Sequence, residues 1–272
     1  MEIRKLYTAI SFFFVEERLG YLKKVLSDLP RLALECKISV ITNAKDPNDH
    51  YKIKNYCVNC PEFEIVIPSH LGHPYLLPWI HLDCFRSAIT LDSDITHFLY
   101  LEDDISLSQA NIAYWVKARR ELERHNLIPS FLRYEVKSHD SKIVSTDVTG
   151  SYRLSQLPWV QTSDKYAYVN LPSPYQGMYL LDRELLLEHL SGLSSHPDFG
   201  IWKIREKAAQ GVTFINVPPG FNSRNLVGYQ LDHGQVDPAA LIHHLPNNYA
   251  NNPKSAYGKI PIENLIVNNL VL

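Results

Sequence analysis

The apolar positions fall into short runs separated by stretches with helical spacing. Residues 6–15 (LYTAISFFFV) form a continuous, β-rich apolar run, the pattern of a strand covered on both faces. Leu19, Leu22, Val25, Leu26 and Leu29 then recur at helical intervals, and Pro30 ends the helix they predict. Residues 38–42 (ISVIT) predict a second strand, closed by the polar loop NAKDPND, and residues 64–67 (EIVI) a third. Residues 74–91 carry apolar positions at mostly helical spacing, with Pro78 near the start. A fourth buried strand, 97–101 (HFLYL), runs straight into Glu102-Asp103-Asp104. An amphipathic helix over 110–125 and a strand over 130–136 follow.

Strands alternating with helices predict an α/β fold built on a mostly parallel central sheet flanked by helices. In such sheets ligands bind beyond the carboxyl ends of the strands, where the acidic triplet lies. The pattern loosens after residue 137. Residues 138–175 predict a hairpin-rich insertion, and 176–192 a short strand and a helix. A helix is expected over 201–210, ended by Gly211, and then a strand over 212–217 (VTFINV). The tail from Pro218, rich in Asn, Pro and His, is expected to wrap over the active face. We therefore expect one domain over 1–272, with halves at 1–136 and 137–272.

Composition narrows the function. With 27 Lys+Arg against 29 Asp+Glu in 272 residues, the net charge of −2 argues against a broad nucleic-acid surface. The hydrophobic fraction of 45% is that of a folded domain. The apolar stretch from Leu6 to Val15 is half the roughly 20 residues a membrane span needs. Glu16-Glu17-Arg18 follows it where a signal peptide would carry small residues, so no targeting segment is expected. Cys57-x-x-Cys60 is half a zinc motif without a second close pair, and the four cysteines read as reduced thiols.

Four places carry candidate chemistry. Consecutive carboxylates at Glu102-Asp103-Asp104 repel one another, and hard oxygen donors at a strand end suit Mg2+ or Mn2+ on a diphosphate; a solvated turn or a helix cap is the alternative. His243 and His244, flanked by apolar residues, offer a nitrogen ligand or a packed, hydrogen-bonded pair. Asp198 is placed before a predicted helix, as a general base or an N-cap. Arg86, on the helix preceding the acidic strand, offers a charge to a phosphate or a base, or a surface ion pair.

The order of these pieces resembles the GT-A fold glycosyltransferases. Glu102-Asp103-Asp104 is similar to their DxD metal motif, in the EDD form of N-acetylglucosaminyltransferase I-like enzymes. Arg86 and Ala88 resemble the Arg-bearing helix that meets the nucleotide. Residues 177–205 resemble the glycine segment and the xED motif, with Pro197-Asp198 at the acidic pair. His243 or His244 resembles the C-terminal metal-binding histidine.

The resemblance implies a metal-dependent transfer of a sugar from a nucleotide diphosphate donor, a UDP-sugar, to a glycan or glycolipid hydroxyl. It assigns Asp104, Glu102, His243 and His244 to Mn2+ or Mg2+, and Thr42, Asn43, Arg86, Glu102 and Asp103 to the donor. Asp198 becomes the base of an inverting displacement, 1–136 the donor half and 137–272 the acceptor half. Trp159, Tyr166, Tyr168 and Tyr175 are expected to stack on the acceptor. The expected setting is cytoplasmic polysaccharide or lipopolysaccharide assembly, peripheral to a membrane and without nucleic acid; a Golgi lumenal fragment is the alternative. A metal-dependent phosphoesterase or nucleotidyltransferase, and a non-catalytic carbohydrate-binding protein, are the competing classes.

Overall fold

The computed structural model describes residues 2–57 and 60–267. In chain order its main elements are β1 (Lys5–Phe12), α1 (Leu19–Asp28), β2 (Glu35–Thr42), α2 (Pro47–Tyr56), β3 (Glu62–Val66), α3 (His81–Leu91) and β4 (His97–Glu102). Then come α4 (Gln109–Leu122), β5 (Leu132–Val136), β6 (Ile143–Ser145), β7 (Trp159–Ser163) and β8 (Tyr166–Val169). β9 (Met178–Asp182), α5 (Arg183–Ser191), β10 (Asn225–Gln230) and β11 (Leu241–His244) complete the series. The chain divides into two compact units: Glu2–Gln109 with Gly177–Val212, and Ala110–Gln176 with the chain from Thr213 onward.

The first unit holds a sheet of order β9-β4-β1-β2-β3. β1 pairs in parallel with β2 and β4, and β2 with β3, as the alternation of strands and helices predicts. β9 lies antiparallel to β4, with Met178 opposite Leu101. Every residue of β1 is buried, which explains the unbroken apolar run. The strand stops at Phe12 because its pairing with β2 ends there, opposite Thr42. Phe13 and Val15 emerge at 44% and 40% exposure, and a short turn of helix, Glu16–Arg18, follows. At the other end of the sheet Lys5 is buried and pairs with Glu62 and Asp92 at 2.7 and 2.9 Å.

Two expected elements are corrected. The helix expected over 201–210 is one turn, Ile204–Lys207, and the strand expected over 212–217 is not formed. Gly200, at φ +99°, turns the chain, and the Gln210 side chain donates to the Ser194 and Phe199 carbonyls, tying the loop from inside. Val212 and Thr213 are buried without a neighbouring ladder, so apolarity there reports burial and not pairing.

In the second unit β7, β8 and β10 form an antiparallel sheet, while β11 pairs in parallel with β5, which pairs antiparallel with β6. The hairpin-rich character expected of 138–175 is present. Helix α4 buries Ile112, Tyr114, Trp115, Ala118 and Leu122. The Tyr114 hydroxyl donates to the Ser130 carbonyl and accepts from Gly228 N, at 3.1 and 2.9 Å. No helix among the described residues is long and apolar enough to cross a membrane.

Candidate active site

The acidic triplet stands where the sheet ends. Ser11 of β1 is opposite Glu102, the last residue of β4. Glu102 N donates to the Gly177 carbonyl at 3.1 Å, and Gly177 takes φ +65° so that β9 can start beside β4. Asp103 and Asp104 then turn inward, to 4% and 5% exposure. Their counter-charge comes from Arg18, on the short turn after β1. Its Nε and Nη2 donate to the two oxygens of Asp103 at 2.9 and 2.7 Å, and Nη2 also donates to Asp104 Oδ2 at 2.9 Å. One guanidinium thus faces two buried carboxylates. Burial pushes the Asp103 carboxyl up to about 7, against the pull of Arg18.

The rest of this sheet edge is quieter. Thr42, at the carboxyl end of β2, is fully buried and its Oγ1 accepts from Ala44 N at 3.2 Å. Asn43 Oδ1 accepts from Phe14 N at 2.7 Å, tying the loop that carries Arg18 to the end of β2. The parallel register therefore gathers Arg18, Thr42, Asn43 and Glu102–Asp104 along one edge of one sheet. Arg86 is exposed on α3 and pairs with Asp83, three residues away, at 3.2 Å. Asp198 does not cap a helix: the next helical turn is capped by Lys203, and Asp198 lies in a loop with its side chain 93% exposed, 3.6 Å from His196 Nδ1.

The histidine pair belongs to the second unit, on β11. His243 stacks on Tyr134 at 4.9 Å, and its Nε2 meets Asn247 Oδ1 at 3.0 Å. His244 is buried, with Nδ1 2.6 Å from Oε1 of the fully buried Glu135. The other oxygen of Glu135 accepts from Ala250 N at 2.5 Å. A carboxylate on one ring nitrogen fixes the orientation of a histidine, an arrangement usual for metal ligands and for bases. Tyr168 is fully buried and donates to Glu121, so it cannot stack on an acceptor sugar as expected; burial inside the sheet takes its ring out of reach of solvent. Tyr166 donates to Asp237 at 2.6 Å, Tyr175 lies under Arg133, and Trp159 is 40% exposed.

No protein-family profile and no curated protein matches the chain. Among solved structures it is similar to GalNAc-T7, crystallised with UDP, GalNAc and Mn2+, at 12% identity and a TM-score of 0.50 over 89% of this chain and 43% of that one. The fold is that of the GT-A glycosyltransferases. A second similar structure, S. aureus TarS 1-349, has 11% identity and a TM-score of 0.40 over 76% of this chain and 56% of that one. The chain thus spans less than two thirds of either protein.

Within this GT-A fold the side chains at the end of β4 offer what a hard divalent cation takes: carboxylate oxygens in a largely dry place. Among the described residues, no three His, Cys, Asp or Glu side chains gather into a complete metal cage.

The sequence reading missed Arg18 and Glu135. Arg18 sits in a charged Glu-Glu-Arg triplet that reads as surface. Glu135 sits in an alternating strand whose buried face happens to carry it. The spacing from a run-on apolar strand was a signal for Arg18; Glu135 had none. Replacing Glu135 by alanine is expected to leave His244 Nδ1 and Ala250 N without this acceptor in a buried place, lowering stability by about 3 kcal/mol. Glu135→Gln, which keeps one acceptor oxygen, should lose less. Urea unfolding of both variants checks the order.

Proposed function

We propose that the protein is a metal-dependent glycosyltransferase that moves a sugar from a nucleotide diphosphate donor, a UDP-sugar, to a glycan or glycolipid hydroxyl. One observation carries the reading: in a GT-A fold, Asp103 and Asp104 are buried side by side at the end of β4 with a single arginine between them. The GalNAc-T7 structure that shares the fold holds UDP, GalNAc and Mn2+, which supports the choice of nucleotide and metal.

Asp104 and Glu102 are the residues proposed to hold Mn2+ or Mg2+. A cation bound there supplies positive charge to the diphosphate as it leaves. Arg18 is positioned to turn its guanidinium from the carboxylates to the phosphates, a planar donor suited to either. Thr42 and Asn43 border the nucleoside end of the same edge, and Arg86 is kept as a longer-range charge toward the donor. Asp198 is proposed to take the proton of the acceptor hydroxyl during an inverting attack on the anomeric carbon. Its exposure leaves it room to meet an incoming acceptor. Of the two histidines, His244 has the carboxylate-fixed ring that suits metal ligation. The hexosyl or N-acetylhexosaminyl identity of the sugar, a lipid-linked acceptor and a cytoplasmic, membrane-peripheral setting complete the proposal.

Calorimetric titration with UDP, with and without Mn2+, tests it. Binding that requires the metal, followed by slow hydrolysis of one UDP-sugar from a panel, is the expected result. Absence of UDP binding in both conditions would overturn the donor assignment, and hydrolysis of a generic phosphodiester would move the reading to a phosphoesterase.

A further inference from the structure

β11 ends on two adjacent histidines whose ring protons are set by different partners, all of them in the second unit. His243 lies opposite Tyr134 in the parallel register of β11 with β5, so His244 and Glu135 follow side by side. The amide of Asn247 is fixed by two backbone groups. Its Oδ1 accepts from Val136 N at 2.7 Å, and its Nδ2 donates to the Leu245 carbonyl at 3.0 Å. The atom that meets His243 Nε2 at 3.0 Å is therefore an acceptor, and His243 carries its proton on Nε2.

Glu135 does the opposite for His244. Its Oε2 accepts from Ala250 N at 2.5 Å, and its Oε1 lies 2.6 Å from His244 Nδ1. A carboxylate only accepts, so this contact keeps the His244 proton on Nδ1 and the lone pair on Nε2. The two neighbouring rings are thus held as opposite tautomers. Glu135 is fully buried, and Tyr249 stacks on the His244 ring at 5.6 Å, so neither partner has room to turn aside.

We infer that Glu135 is a positioning residue for the divalent cation: it commits His244 to the Nδ1–H tautomer, so that Nε2 is the nitrogen offered as a ligand. His244 as a ligand is the reading proposed above, and the role of Glu135 rests on it. A ligating nitrogen gives its lone pair, so a ring in the other tautomer has to move a proton before it binds. Carboxylates behind a ligating histidine are typically worth 10–100-fold in metal affinity. Glu135→Gln separates this role from packing. The amide oxygen has to stay on Ala250 N, because the opposite orientation sets two donors against each other. The amide NH2 then faces His244 Nδ1 and donates to it, and the ring proton moves to Nε2.

The full chain is labelled with 15N-histidine, and long-range 1H–15N correlation spectra are recorded without metal. The signals of His243 and His244 are assigned by their loss in His243→Gln and His244→Gln. The wild type is expected to show His243 as Nε2–H and His244 as Nδ1–H, and Glu135→Gln to show His244 as Nε2–H. Mn2+ binding in the presence of UDP is read from the paramagnetic resonance signal of free Mn2+. It should weaken about 10–100-fold in Glu135→Gln, and the double variant Glu135→Gln/His244→Gln should bind no more weakly than His244→Gln. His244 as Nε2–H in the wild type would overturn the role of Glu135, and so would an unchanged tautomer and Mn2+ affinity in Glu135→Gln. Either result leaves the proposed metal-dependent transfer standing. A wild type that binds no Mn2+ with UDP, or binding that His244→Gln does not weaken, would overturn both the role of Glu135 and the ligation by His244. If Glu135→Gln fails to fold, the wild-type tautomers and the Mn2+ affinity of His244→Gln decide.

Discussion

Asp104→Ala is expected to abolish Mn2+-dependent binding of UDP. Arg18 is shared between Asp103 and Asp104, so it keeps the Asp103 carboxyl as a partner when Asp104 is removed. The metal loses its proposed main ligand. Charge neutralisation by a bound cation is worth several kcal/mol, so the affinity for UDP with Mn2+ should fall by about 100-fold or more, toward the value without metal. Arg18→Ala should lower stability. It removes the guanidinium that donates to both buried carboxylates, a change that costs about 3–5 kcal/mol when a buried pair is broken. Mn2+ alone should restore most of that loss, so its addition should raise the melting temperature of Arg18→Ala far more than that of the wild type. Equal responses of the two proteins to Mn2+ would separate the acidic corner from metal binding.

Acid should unfold the protein well above the pH at which carboxylates titrate. Two histidines, His81 and His189, are buried at the heart of the sheet unit. His81 Nδ1 donates to the Pro78 carbonyl and its Nε2 accepts from the Tyr179 hydroxyl, so the neutral ring is satisfied at both nitrogens. His189 Nδ1 meets Ser194 Oγ at 2.7 Å, and the ring lies edge-on to Tyr179. Burial lowers both to about 3, and the charge of Arg86 adds to the effect. The unfolded chain protonates these rings near 6.5 while the folded chain does not. The unfolded state therefore binds more protons throughout the window from about 6.5 down to 3, and stability falls as pH falls through it. Each ring costs about 1.4 kcal/mol per pH unit, or about 4 kcal/mol for the pair at pH 5. That is comparable with the whole stability of many domains. Urea unfolding between pH 7.5 and 4.5 should show these contributions together with that of His97, lowered to about 4, and against that of Asp103, raised to about 7, and His189→Gln should make the net slope shallower by about 1.4 kcal/mol per pH unit. An unchanged slope in that variant would assign the acid sensitivity elsewhere.

The central sheet was legible because its strands are covered on both faces. A continuous apolar run such as 6–15 then has one reading, and short polar loops mark where it turns. The acidic triplet was legible because charge directly after a buried strand is unusual. What failed depended on partners distant in sequence. Residues 212–217 look like a strand, but no ladder neighbours them, and apolarity alone does not separate a paired segment from a buried turn. The single helical turn at Ile204–Lys207 replaces a longer expected helix because Gly200 and the Gln210 amide hold the chain in loops. Arg18 was hidden by its neighbours: a Glu-Glu-Arg triplet is ordinary surface until the next turn of chain brings Asp103 within 3 Å of it.

The antiparallel return of β9 has a consequence for how such a protein can change. The chain leaves the sheet after β4 and comes back at Gly177 on the neighbouring strand, so the excursion between them starts and ends at adjacent points. Closing a loop costs entropy that grows only with the logarithm of its length, about 0.6 kcal/mol for each doubling. The turns within residues 110–176 can therefore change length at small entropic cost to this sheet, provided that Gly177 still returns its carbonyl to Glu102. The acidic corner is anchored by the seam that closes the excursion.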